Sequence, residues 1–250
     1  MFNSIHILYM VISTVITVLI LVALRLLKHD GLNRLLIWFF ALSTVVIHFS
    51  GAWHELFTTG QLVGYKEYLL PIFPCHICMW LLVISATTLN NQSLPARLVR
   101  DFTFLGGTVC GSIGILFNFN FDASPTLADF YVLKGLLSHS TMVAGCLLLF
   151  VAGYAKIGVG RSVAATLAGI GLFTVDGMII NALFEKYGFE PVNAMFLQTA
   201  PFEEYPFINI NLIYACAILL TLVIAGLHWA VTHKKATSES EENVCCQVQL

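Results

Sequence analysis

Uninterrupted apolar stretches of about twenty residues recur along this chain, and nothing else in it constrains the fold so tightly. A bilayer core about 30 Å thick demands about 20 apolar residues of each helix that crosses it. Seven runs of this kind are read, at 5–27, 35–53, 70–89, 102–120, 130–153, 163–184 and 210–231. None alternates apolar with polar residues, as the strands of a spanning barrel do. The expected fold class is therefore all-α, a polytopic membrane helical bundle of about seven transmembrane helices. With 58% hydrophobic and only 10% charged residues, a soluble globular class is excluded, and a net charge of -2 argues against nucleic acid as a partner. Neither a basic start nor a small-residue cleavage site precedes the first run, which reads as a retained helix.

Basic residues orient the bundle. Arg25, Lys28 and Arg34 follow the first span, Arg97 and Arg100 the third, Lys156 and Arg161 the fifth, and Lys234 and Lys235 the seventh. Nine of the twelve Lys and Arg thus share one side, leaving Lys66, Lys134 and Lys186 on the other. The positive-inside rule puts the N-terminus outside and the C-terminus in the cytoplasm. The chain divides into one membrane domain, 1–235, and a polar, acidic tail, 236–250, expected to be disordered and cytoplasmic. The expected location is a bacterial inner membrane or a eukaryotic cell membrane, spanned several times.

Orientation also assigns depth. His48 lies near the outer end of the second span and Cys75, His76 and Cys78 at the outer end of the third. Asn118 closes the fourth, and His139 lies about 13 Å into the fifth, from about nine residues of helical rise. Asp176 occupies the outer half of the sixth, and Asn193 the loop before the seventh. Ionisable groups at membrane depth usually face the bundle interior or a water-filled cavity. A polar chamber open to the outer leaflet is expected. His6, His54 and Asn209 are read as headgroup-level residues.

The stretch "LLPIFPCHIC" carries the chemistry. Proline favours the first helical position, which places Cys75 and His76 in a first turn. Unpaired N–H groups and the helix dipole stabilise a thiolate there. Adjacent residues on a helix do not face each other, so His139 from another helix is the better base for Cys75 than His76. Three chemistries fit. Cys75 can be a nucleophile, with Cys78 second; Cys75 and Cys78 can be a redox pair; and Cys75, Cys78, His76 and His139 can hold zinc, although CHIC is only half of a zinc motif. "PCHICMW" resembles the first cysteine pair of quinone-linked disulfide oxidases of the DsbB type, but no outer loop here holds their second pair. Cys110, Cys146 and Cys216, alone among aliphatics, read as small buried hydrophobes.

The order of "FNSIHILYM", "LLPIFPCHIC", "LLSHSTMVAG" and "PVNAMFLQTAP" resembles the YwaF-like integral membrane family. That family includes an animal transmembrane cysteine acyltransferase acting on ether-type lysophospholipids. Pro74, His76 and Cys78 match its bacterial Pro-x-His-x-Cys pattern, while Pro74, Cys75 and His76 match the animal Pro-Cys-His. The family's tyrosine after the loop asparagine is replaced in "NAMFL". The resemblance implies a lipid acyltransferase or acyl-ester hydrolase. Cys75 would form a thioester, His139 would act as base, and Asn193, with Asn118 or the helix amides, would donate to the oxyanion. His76, His48 and Asp176 would contact substrate. Phospholipid and lysophospholipid would be the partners, and neither metal nor other cofactor is needed. Thiol–disulfide exchange and non-enzymatic lipid or small-molecule transport are the alternatives.

Overall fold

The computed structural model describes residues 3–62, 64–118, 120–201 and 205–248, with the side chains at 65, 67, 122, 123 and 233–248 outside the description. All regular structure among them is helical. The order is α1 (Ser4–Leu27), α2 (Asp30–Thr59), α3 (Tyr65–Leu69), α4 (Pro74–Thr87), α5 (Leu94–Leu116), α6 (Asn120–Ala123), α7 (Phe130–Val151), α8 (Val159–Lys186), a 3-10 turn (Ala194–Phe196) and α9 (Ile210–Val248). Five helices are long and apolar enough to cross a membrane: α1, α2, α7, α8 and the Ile210–Thr232 part of α9. The chain is an all-helical, multi-pass membrane protein.

Each apolar run coincides with one helix, but those of the third and fourth runs are not among the five long and apolar enough to cross. The third is shortened to α4, 14 residues or about 21 Å at 1.5 Å per residue. Residues before proline avoid the helical region, and Leu70 and Phe73, which precede Pro71 and Pro74, are both extended at φ -109°. The fourth begins at Leu94, so Arg97, Arg100 and Asp101, expected outside the span, lie within α5. Its apolar part, 102–116, covers only about 22 Å. At the end of the chain, the α9 backbone stays helical through most of the acidic tail, to Val248.

The shorter helices lie inside the bundle. α7 packs on α5, α2, α1 and α4, and α5 also packs on α4 and α8. Half of the α7 apolar stretch is buried, against 6% for α1 and 11% for α9, which therefore face lipid. The core joins Ile37 and Phe40 of α2, Cys78 and Leu82 of α4, and Met142, Cys146 and Leu148 of α7. Small residues permit the close approach, as membrane interfaces require. The glycine-rich stretch of α5 is continuous helix, with Gly107 against Cys146 and Gly111 against Val143 and Met142.

Polar contacts bind the basic end. Arg161 pairs with the fully buried Asp101, which also accepts from the Lys156 amide at 2.9 Å. Arg34 bonds Asp30 at 2.7 Å and Asn90 at 2.6 Å, and Tyr154 donates to Asp30. Burial and that bond push the Tyr154 phenol up to about 12, so it stays a donor.

Candidate active site

α3, α6 and the loop around Ala194–Phe196 gather at the end of the bundle where α4 begins and α5 finishes. The Met195 amide donates to Ile72 O at 2.8 Å and Phe196 packs on Phe73 at 5.7 Å, so this loop seats against the residues leading into α4. Met195 is fully buried and holds a left-handed backbone, φ 56°. Lys66 of α3 ties in Glu190 at 2.8 Å, and this bond holds the Glu190 carboxyl below its usual range.

Pro74 opens α4, and Cys75 stands in the first turn. The His76 amide of the same turn donates to Phe73 O at 2.9 Å. Cys75 thus stands at the positive dipole end of α4. Cys75 is half-buried, whereas Cys78, one turn deeper, is 0% exposed. Cys78 instead lies beside Cys110 and Cys146. Cys110 and Cys146, expected to lie alone among aliphatics, therefore gather with Cys78 into a thiol cluster. All five described cysteines are free.

Three imidazoles surround this corner. His48 of α2 and His76 of α4 meet with ring centroids 4.7 Å apart. The end of α3 and the residue after it pass across both, and a carbonyl oxygen can only accept from a ring N–H. His48 Nε2 therefore donates to Tyr68 O at 3.4 Å and His76 Nδ1 to Leu70 O at 3.2 Å. His139 of α7 donates from Nδ1 to Gly135 O at 2.7 Å. Each ring is held as one tautomer whose second nitrogen is a proton acceptor. The His139 ring lies flat on Gly114, where a Cβ would overlap it. Cys75 neighbours Cys110, one turn along α5 from Gly114. Cys75 and His139 thus address the same helix about 6 Å apart along its axis.

Sequence reasoning missed Lys134. This α7 residue lies over the Tyr68 ring, 4.8 Å from its centroid, with Tyr68 in turn bonded to Glu55 at 3.2 Å. Its ammonium is within electrostatic range of His48, Cys75, His76 and His139 together. The available signal was its place as one of three basic residues on the sparse side, one turn and a half before His139.

The remaining expected site residues lie in separate hydrogen-bonded groups. Asn118 donates to Val132 O at 3.2 Å and accepts from the Asn120 amide, beside Gly135. Asn193 spends its amide inside its own loop, donating to Thr199 and accepting from Gln198. Asp176 is half-buried, and its Oδ2 has no hydrogen-bond partner among the described residues. His6, assigned to headgroup level, is fully buried, bonding Ile115 O at 2.8 Å and stacking on Phe121. Among the described residues, no three His, Cys, Asp or Glu side chains are grouped to hold a metal ion.

Beside the corner runs an apolar cleft of about 330 Å³, lined by Leu69, Leu70, Leu183, Phe184, Tyr187 and Phe189. Leu70 belongs to both, since its carbonyl holds His76. Comparison with known proteins finds one family model, that of the TMEM164 family, matching residues 1–232. No curated protein and no solved structure matches the chain.

Proposed function

The chain belongs to the TMEM164 family, and from that premise we propose that it is a membrane-embedded lipid acyltransferase, or acyl-ester hydrolase, working through a Cys75 thioester. The observation that carries the reading is the placement of Cys75: only half-buried, in the first turn of α4. Cys78 has no such access. The YwaF-like resemblance supplies the lipid class.

In the first half-reaction the acceptor nitrogen of His139 takes the thiol proton. The Cys75 sulfur attacks the ester carbonyl of a phospholipid, forming a C–S bond. The C–O bond breaks, and the departing lysophospholipid oxygen receives the proton from the imidazolium. In the second, a lysophospholipid hydroxyl, or water, gives its proton to His139 and attacks the thioester. The C–S bond breaks, the acyl group leaves on the acceptor oxygen, and the Cys75 thiolate takes the proton back from His139. Amides of the α4 first turn stabilise the oxyanion. His48 and His76 face the substrate. Asn118 and Asn193 position the walls, Asn118 beside the carbonyl that holds His139, and Asp176 borders the outer chamber. The cleft beside Leu70 accepts an acyl chain. In this reading the bundle spans the membrane seven times, with residues 1–235 as the membrane domain, the tail 236–250 in the cytoplasm and the site toward the outer leaflet.

The test is intact-mass analysis of purified protein after reaction with an acyl-donor probe, for wild type, Cys75→Ala, Cys78→Ala and His139→Ala. A hydroxylamine-sensitive adduct, lost in Cys75→Ala, slowed in His139→Ala and kept in Cys78→Ala, is the expected result. Loss only in Cys78→Ala moves the nucleophile. A reducible disulfide without an acyl adduct replaces acyl transfer by thiol exchange. Lipid movement unaffected by Cys75→Ala, with no adduct, replaces it by transport.

A further inference from the structure

At the basic end of the bundle, away from Cys75, lies a second cavity of about 150 Å³. Liquid water takes about 30 Å³ per molecule, so the space suits a group of phosphate size. Its walls include Arg97 and Arg100 of α5, Lys156 and Tyr154 of the α7–α8 connection, and Arg161 of α8. Four cations face it and no carboxylate lines it. Asp101, behind the wall, is already engaged by Arg161 and by the Lys156 amide.

Basic residues at this end are ordinarily topology anchors, with charged heads in the headgroup layer. These are not placed as anchors. Arg100 is 1% exposed, and its guanidinium donates to the carbonyls of Thr88 and Tyr154, which carry no formal charge. The Arg97 Nε is buried with no hydrogen-bond partner among the described residues. Asp101 is the one carboxylate acting on Arg100 and is already paired with Arg161, so the four basic residues exceed their counter-charge; arginine forks match phosphate oxygens in geometry.

We propose that this cavity is a binding site for a phosphate-bearing anion, held by Arg97, Arg100 and Lys156, with Arg161 fixed beside them by Asp101. The ligand is either a lipid phosphomonoester headgroup or a soluble phosphate. The site is independent of the acyl-transfer reading, because it shares no residue with it.

The experiment measures thermal melting of the full chain at constant ionic strength. One arm adds inorganic phosphate to detergent-solubilised protein. The other compares nanodiscs of phosphatidylcholine with and without phosphatidic acid. Ligand at concentration L that binds only the folded state stabilises it by RT ln(1 + L/Kd), so the melting temperature rises with ligand concentration on a scale set by Kd. The variants are Arg97→Gln and Lys156→Gln, whose side chains bear none of the contacts that close this end, with Arg25→Gln on α1 as control. Stabilisation of wild type and Arg25→Gln is expected, with apparent affinity about tenfold weaker in Arg97→Gln and Lys156→Gln. A response to phosphate in detergent assigns a soluble ligand, and one confined to phosphatidic acid a headgroup. Equal responses in wild type and both variants, or no response to either probe, overturns the site.

Discussion

Gly114 shows how little separates a placed imidazole from a displaced one. His139 is set by two neighbours, the Gly135 carbonyl that fixes its tautomer and the bare backbone of Gly114 beneath its ring. Gly114→Ala puts a methyl group where the ring lies, so the ring must shift while α5 stays helical. The expected outcome is at least a tenfold fall in acyl-adduct formation, about 1.4 kcal/mol of barrier, with the melting temperature little changed. Gly226→Ala, which meets nothing within 4 Å, is the matched control and leaves both unchanged. Loss of adduct in both variants breaks the link between Gly114 and His139. At this scale the sequence was informative about kinds of residue and poor about partners. The helix start in "IFPCHIC" reads directly, since proline and the dipole act locally. That Cys78 meets Cys110, or that Lys134 serves four site residues at once, depends on how three helices rotate about their axes. No local pattern encodes that rotation.

Among the elements, α5 differs most from its sequence reading. Hydropathy begins it at residue 102, because Arg97, Arg100 and Asp101 look like loop charges; Pro95 at its start and tertiary pairing extend it back to Leu94. The Asp101–Arg161 pair is what makes that extension affordable, since Asp101 is wholly buried while the Arg161 side chain is 27% exposed. Asp101→Asn leaves Arg161 without its counter-charge and weakens the acceptor for the Lys156 amide. Removing one partner of a buried pair costs about 3–5 kcal/mol, and the exposure of Arg161 puts the expected loss near the low end, about 3 kcal/mol. Chemical or thermal unfolding in detergent measures it; a change within about 0.5 kcal/mol, typical of surface sites, makes the pair incidental. α4 gives the complementary lesson. Its prolines announced both its start and the extended lead-in, so its shortness was readable from "LLPIFP" had the run been cut at Pro74 rather than at Leu70.

For the whole molecule, the contrast between ends is the governing feature. Arginines, Asp101 and short connections close one end, while α3, α6 and the 194–196 turn lie at the other. The proposed reading, from the positive-inside bias, puts the first in the cytoplasm. A membrane-impermeant maleimide tests it with cysteines introduced in a Cys75→Ala background. Gln61→Cys is expected to label in intact cells and Asn91→Cys only after permeabilisation; the reverse pattern inverts the topology. By itself the sequence determined the all-helical class, the seven apolar runs and the helix start at Pro74, because a bilayer imposes length and apolarity on each segment separately. Only the tertiary structure decided that Cys75 is accessible and Cys78 is not, that His48, His76 and His139 each keep one proton-accepting nitrogen, and that four cations converge on a cavity. Those outcomes depend on which faces of separate helices meet, and close packing settles that across the whole bundle at once.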